Sequence, residues 1–354
     1  MKNYLKQAAI SVLFWGICLG LFSIFRYLGI DRISDIEVNG SIRSLILKTG
    51  TAMTILGVLL GVVYATVDYF FDRYTAKRLS LGGSILFRTF IYFVMTVGLL
   101  RLAQITAQAN GMELNFAGGW LWWLKDERFV AVLLYIVFCS FVFSLMKIAA
   151  ERFGKGVFFK ILMGKYRTPK EEERIFMFLD LKDSTTIAEK LGHLRYSQFI
   201  QDCFYDLNLV VLKYEAEIYQ YVGDEAVLTW PYAKGIANNN CVQLFFEFQR
   251  QRQSRNDYYL QKYGISPEFK AGIHGGVLMV AEVGFVKKEL AYHGDVINTS
   301  ARIQAQCNNY GATLLLSEKL IKDINTKYFS TSKSMGSVLL KGKQKEVKIH
   351  AVSL

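Results

Sequence analysis

Two aspartates sit in frames that could do chemistry. Asp180 ends the apolar run in FMFLDLKDSTTIAEKLG, and Asp224 follows the glycine in EIYQYVGDEAVLTW. Two hard carboxylates at adjacent strand ends suit Mg²⁺ or Mn²⁺, which take oxygen ligands and keep bound phosphates and waters. The helix predicted to begin at Ser184, with Thr185 next to it, would point its free first-turn amides at the same place, ready for phosphate oxygens. Together these features outline a two-metal phosphoryl-transfer site. A third stretch, YHGDVINTSARIQAQC, places Asn298 and Arg302 four residues apart, on one face of a predicted helix. An amide there can orient a ribose, and a guanidinium can stabilise charge at a substituted phosphorus. A fourth, LLKGKQKEVKIHAV, offers Lys341 as a counter-charge for terminal phosphates.

The elements that would hold these residues alternate between strand and helix from residue 175 onward. IFMFLDL reads as a buried strand by its continuous apolar run. Ser184 is a candidate N-cap for a helix over 184–191, which Gly192 ends. A long helix is expected over 195–216, then a hairpin around Gly223-Asp224 and a helix over 237–262. Strands are expected over 269–273 and 277–283, with a turn at His274-Gly275-Gly276. A helix over 295–307, a strand over 312–317, a short helix and a hairpin around Lys341-Gly342-Lys343 complete the chain. This order predicts an α+β sandwich of the ferredoxin-like kind.

The first half is of another character. Residues 8–25, 49–67 and 129–146 carry no charge, and 85–105 holds only Arg88 and Arg101 near its ends. Each nearly matches the roughly 20 residues that cross a bilayer core, so four transmembrane helices are expected, with both arginines able to snorkel. Through residue 170 there are 20 Lys/Arg against 9 Asp/Glu, while beyond it there are 22 against 21. The net charge of +12 therefore lies almost wholly in the first half and flanks apolar segments. That pattern reads as a lipid bilayer partner rather than nucleic acid. The positive-inside rule places both the N-terminus and everything after the fourth span on the cytoplasmic side. Trp120, Trp122 and Trp123 read as an interfacial belt, with a pocket for a hydrophobic ligand as the sharper reading. Residues 148–166 read as a basic, amphipathic connecting helix, broken by Thr168-Pro169. The five cysteines form no CxxC pair and the four histidines show no ligand spacing, so neither a disulfide frame nor a zinc site is expected.

From residue 174 to the end, the chain resembles the catalytic domain of class III nucleotidyl cyclases, the adenylate/guanylate cyclase family. The resemblance rests on FLDLKDSTT, YQYVGDEAV, AGIHGGVL, GDVINTSARI and LLKGK, which stand in the family's order and spacing. It implies a head-to-tail homodimer with two Mg²⁺ or Mn²⁺ per site, held by Asp180 and Asp224 with help from the Leu181 carbonyl. It implies that Ser184 and Thr185 hold the β- and γ-phosphates, and that Asn298, Arg302 and Lys341 come from the partner subunit. ATP is the expected substrate, with cyclic AMP and pyrophosphate as products. The base-reading positions depart from the family pattern. Gln220 stands where adenylate cyclases usually carry lysine, and Ala291 where they carry Asp or Thr. A glutamine amide both donates and accepts, and can read the N1/N6 edge of adenine alone; GTP or a pyrimidine triphosphate is the alternative substrate. A membrane receptor module with a degenerate cyclase domain is the non-enzymatic alternative, against which the intact Asp180, Asp224, Asn298 and Arg302 argue. A diguanylate cyclase would need a GGDEF-type turn, which Val222-Gly223-Asp224-Glu225 does not provide. The resulting layout is a four-span transmembrane domain over 1–147, a linker helix over 148–172 and a cytoplasmic catalytic domain over 173–354. The whole is expected to be a multi-pass protein of the inner (plasma) membrane.

Overall fold

A computed structural model describes residues 2–27, 42–74, 79–109, 127–154, 157–325, 331–340 and 345–353. The chain divides into two compact units, Met1–Ala149 and Ala150–Leu354. The first contains four long helices: α1 (Lys2–Tyr27), α2 (Ile42–Tyr74), α3 (Leu81–Ala109) and α4 (Glu127–Phe153). Each carries a window long and apolar enough to cross a membrane. Helices α1 and α2 pack closely because glycines remove side chains at the contact. A Cβ on Gly57 would lie 2.9 Å from the Gly16 Cα, and one on Gly61 would lie 2.8 Å from the Val12 backbone nitrogen. Small residues that let backbones approach are the usual device where lipid removes the hydrophobic drive between helices. Trp15, Leu19, Leu60, Tyr64 and Tyr92 fill the interior, while Leu13, Leu59, Leu86 and Leu134 face outward.

Arg88 does not reach out of the bundle as its position near a span end suggests. It is buried, its Nε 3.9 Å from Asp68 and its guanidinium 4.6 Å over the Phe71 ring. Asp68 also accepts from the Tyr92 hydroxyl, and Lys147 lies 3.2 Å from it. A carboxylate one helix away gives the arginine an internal partner, and that outweighs snorkelling. Trp120, Trp122 and Trp123 lie outside the described residues, as do most of the loop charges.

The second unit opens with the short helix α5 (Val157–Leu162). The expected connecting helix over 148–166 is therefore interrupted: α4 runs on to Phe153, and Gly154 breaks it with a φ of +88°. Strand β1 (Lys170–Leu181) follows, then α6 (Ser184–Val211), β2 (Glu217–Val222), β3 (Glu225–Pro231), α7 (Tyr232–Ile236), α8 (Asn240–Ser254), α9 (Asn256–Tyr263) and β4 (Phe269–Val283). After these come β5 (Glu289–His293), α10 (Asp295–Ala305), β6 (Leu314–Ser317), α11 (Glu318–Asp323), β7 (Thr331–Val338) and β8 (Val347–Ser353).

The sheet order is β2-β3-β1-β4-β6-β8-β7, with β5 on β4. The run β2-β3-β1-β4 is antiparallel throughout. It is the four-stranded core of a ferredoxin-like unit, as the order of elements predicts. Strand β1 is buried on both faces, which explains its unbroken apolar run. Ile175, Met177, Leu179 and Leu181 pack against α6, α8 and α9. Phe176 and Phe178 pack on the other side with Tyr166, Leu278, Tyr292 and Val296.

Three expectations about this unit are corrected. His274-Gly275-Gly276 is not a turn: β4 runs straight through it, paired with β1 from Lys170↔Val280 to Leu181↔Phe269. The glycines serve close packing instead, since a Cβ on Gly275 would lie 2.6 Å from the Tyr232 ring and one on Gly276 3.0 Å from Val296. Ser184 is not the N-cap of α6: Asp183 precedes the helix in a left-handed conformation, and Ser184 is the first helical residue. Gly192 does interrupt this helix, at φ +70°, as expected. The helix expected over 237–262 is two, α8 and α9, parted at Arg255.

Candidate active site

Asp180 stands one residue before the end of β1, opposite Glu225 of β3 on one side and Lys270 of β4 on the other. Asp224 sits in the two-residue turn between β2 and β3. Gly223 makes that turn at φ +61°, a conformation that favours glycine. The two carboxylates are close enough to feel each other. Burial pushes the Asp180 carboxyl above its ordinary value, Lys270 and Gln304 pull it back, and the Asp224 charge pushes it up again. Glu225 is pushed up to about 7, by burial first and then by Asp180 and Asp224. Such a pocket of crowded carboxylates favours an incoming cation.

The donor set fits a hard divalent ion that substrate oxygens complete. Among the described residues, no group of three or more His, Cys, Asp or Glu side chains is arranged to hold a metal by itself. Two carboxylates and a backbone carbonyl, with phosphates filling the remaining positions, suit Mg²⁺ or Mn²⁺. The Leu181 side chain is buried and its backbone pairs with Phe269, so its carbonyl position is set by the sheet. Ser184 is half-buried and Thr185 exposed in the first turn of α6, where amides lack intrahelical partners. Burial, followed by the nearby Asp224 charge, raises the pKa of the Tyr196 hydroxyl.

Asn298 is exposed and Arg302 half-exposed on α10. The α10 residue that reaches Asp180 is Gln304, whose Nε2 donates to Oδ2 over 2.9 Å. Lys270 lies 3.3 Å from the same oxygen. Gln220 is exposed on β2, beside a register shift after Ile218, and Ala291 lies half-buried on β5. Their neighbours meet: the Tyr219 and Tyr292 rings pack edge to face, with centroids 4.9 Å apart. Gln220 and Ala291 thus lie on strands that are not paired in the sheet but whose neighbouring side chains meet. Lys341 lies outside the described residues.

Sequence reasoning missed Lys270, Gln304, Glu225 and Tyr196. Glu225 adjoins Asp224, so the GDE triplet was a usable signal. Lys270 and Gln304 become neighbours of Asp180 only through strand register and helix packing, which no local pattern announces.

Residues 167–353 match the family described as Adenylate and Guanylate cyclase catalytic domain, more than half of the chain, and the chain belongs to that family. It is similar to Adenylate cyclase 2 of Rhizobium meliloti (strain 1021), at 33% identity over 247 residues, 68% of this chain and 67% of that one. Adenylate cyclase 1 of the same organism is 26% identical over 192 residues, 52% of this chain but only 28% of that protein. Among solved structures, a bacterial light-regulated adenylyl cyclase superposes with a TM-score of 0.54. That match covers 63% of this chain and 65% of the other at 15% identity, a likeness of fold.

Proposed function

We propose that this protein is a membrane-bound adenylate cyclase, converting ATP to 3′,5′-cyclic AMP and pyrophosphate at sites shared between two copies of the chain. The observation that carries the reading is the placement of Asp180 near the end of β1 and Asp224 in the adjoining β2–β3 turn, close enough that the Asp224 charge raises the Asp180 carboxyl. Two Mg²⁺ or Mn²⁺ would supply Lewis-acid activation of the ribose 3′-hydroxyl and neutralise the triphosphate. Asp180, Asp224 and the Leu181 carbonyl would hold them. The first-turn amides at Ser184 and Thr185 would take the β- and γ-phosphates. The partner subunit's Asn298 would orient the ribose, and the partner's Arg302 would stabilise charge as the 3′-oxygen attacks the α-phosphorus and pyrophosphate leaves. The partner's Lys341 would face the terminal phosphates. The outward placement of Asn298 and Arg302 on α10 supports a site completed in trans. One chain carries every part, so a symmetric homodimer would have two sites.

ATP is favoured over GTP or a pyrimidine triphosphate because the similar R. meliloti protein is named an adenylate cyclase and because Gln220 can read adenine alone. The layout we infer is a membrane domain over 1–147, a linker over 148–172 and a catalytic domain over 173–354. The N-terminus and catalytic domain face the cytoplasm, where ATP is, and the four spans lie in the inner (plasma) membrane.

The test is to offer ATP, GTP, CTP and UTP separately to the purified full-length protein with Mn²⁺ and identify the cyclic product. Cyclic AMP from ATP is expected; a preference for GTP would overturn the base assignment. Mixing Asp180→Ala chains with Arg302→Ala chains should restore part of the activity that each lacks alone. No restoration would argue against a shared site.

A further inference from the structure

Helix α10 carries more than the two residues that face outward. It lies so close to the sheet that a Cβ on Gly272 would sit 2.6 Å from the Gln304 Cα and 2.7 Å from the Ser300 carbonyl oxygen. The missing side chain at Gly272 therefore sets the depth at which Gln304 enters. Gln304 is only 7% exposed, and its amide nitrogen donates to Asp180 Oδ2 over 2.9 Å. At about 100° per residue, Asn298 and Arg302 lie some 40° apart around the helix, while Gln304 lies about 200° beyond Arg302. One face of the helix thus meets the aspartate of its own chain, and the opposite face carries the groups for a partner's site.

We propose that Gln304 is a positioning residue for Asp180, acting within its own subunit, while Asn298 and Arg302 of the same helix act across the dimer. The proposal rests on the reading that Asp180 holds metal. Gln304 and Lys270 both reach Oδ2 and neither reaches Oδ1, so Oδ1 is the oxygen they leave for a metal. The two partners are not equivalent. Lys270 answers the aspartate with a full charge, which a divalent cation in the site would repel. The Gln304 amide is neutral, so it can keep its bond and hold the carboxylate's rotation when the site is loaded. A hydrogen-bonded partner behind a metal ligand fixes its orientation, and losing one typically weakens metal binding about 10- to 100-fold.

The variant is Gln304→Met, which keeps length and volume but cannot donate, with Gln304→Ala as a second. Mn²⁺ binding to the full-length protein is read by electron paramagnetic resonance of the free ion. A dissociation constant raised at least about tenfold is expected, with the KM for ATP at saturating Mn²⁺ little changed. A second measurement separates positioning from mere packing. In mixed dimers of an Arg302→Ala chain and an Asp180→Ala chain, one working site takes its metals from the first chain and its arginine from the second. Gln304→Met in the first chain should raise the Mn²⁺ needed for half-maximal rate, and in the second should leave that requirement alone. An equal effect from either chain, or unchanged Mn²⁺ binding by Gln304→Met, overturns the proposal while the metal reading stands. Mn²⁺ binding that survives Asp180→Ala overturns both.

Discussion

Each half of this chain buries a carboxylate among cations, and the two are handled differently. Asp68, in the membrane unit, has a side chain 8% exposed, and both of its oxygens are engaged. The Tyr92 hydroxyl donates to Oδ1, Lys147 reaches Oδ2, and Arg88 stands near Oδ1. Asp180, in the catalytic unit, keeps 23% exposure, and Lys270 and Gln304 both meet Oδ2. A second carboxylate, Asp224, stands close enough to raise its pKa. Asp68 is answered by cations from two other helices and ties them together. Asp180 is left with a demand for positive charge. Burial is common to both; the like charge alongside and the unsealed oxygen are what distinguish a site from a brace.

The largest effect should come from removing the site carboxylates. Asp180→Ala or Asp224→Ala should lower cyclase activity by about 10³-fold or more. The catalytic fold should hold or gain stability, because a repulsive pair is relieved. Product formation and the thermal midpoint, measured on the same preparations, check both halves of this statement. A large fall in midpoint would put Asp180 in the same class as Asp68.

The converse substitution should hurt folding. Asp68→Ala takes the carboxylate from Arg88 and Lys147 inside an apolar bundle, and breaking a buried pair in this way costs roughly 3–5 kcal/mol. The fraction of protein recovered as a folded species after detergent extraction should fall sharply. Turnover per folded molecule should stay near that of the parent. Full recovery of folded Asp68→Ala would break the comparison.

A smaller effect should come from the glycine beneath α10. Gly272→Ala puts a methyl group against the Gln304 backbone, and overpacking of this kind costs typically 1–3 kcal/mol. Because α10 carries residues for both sites, activity should fall with stability, and the Mn²⁺ requirement should rise as it does for Gln304→Met. A loss of stability without a change in Mn²⁺ requirement would separate the helix position from the metal site.

The larger shape of this protein was legible because its signals are local. Three charge-free runs and a fourth with two arginines near its ends announced four long apolar helices, and the alternation of strand and helix patterns with the motif order announced the ferredoxin-like unit. The readings that failed depended on contacts between distant segments. His274-Gly275-Gly276 looks like a turn in isolation. Only the approach of Tyr232 and Val296 shows why glycine is needed in a straight strand. Arg88 looks like a snorkelling residue until Asp68, twenty positions earlier, is found beside it. Lys270 and Gln304 carried no signal at all, since β1–β4 register and α10 packing bring them to Asp180.

The smallest predicted effect sets the two kinds of carboxylate against each other within the catalytic unit. Glu172 is held below its ordinary value: burial raises it, but Lys165, Tyr166 and Arg174 together outweigh that. Asp202 is likewise lowered, with Tyr263, Lys262 and Tyr258 outweighing burial. Such groups add stability that is present above their unfolded pKa and lost as pH falls through the folded one. Asp180 and Glu225 are raised, so they hold protons more tightly folded than unfolded, and stability falls as pH rises through their window. For Glu225 that window runs from 4.5 to about 7. Hydrogen exchange of β1 amides in the metal-free full-length protein should therefore show protection lost below pH 4, from Glu172 and Asp202. It should also show a shallower decline in protection between pH 4.5 and 7, from the site. Mn²⁺ should flatten the second slope and leave the first untouched, because the cation answers Asp180, Asp224 and Glu225 but has no access to carboxylates already paired. If Mn²⁺ shifted both slopes equally, the distinction between sealed and open carboxylates would not hold.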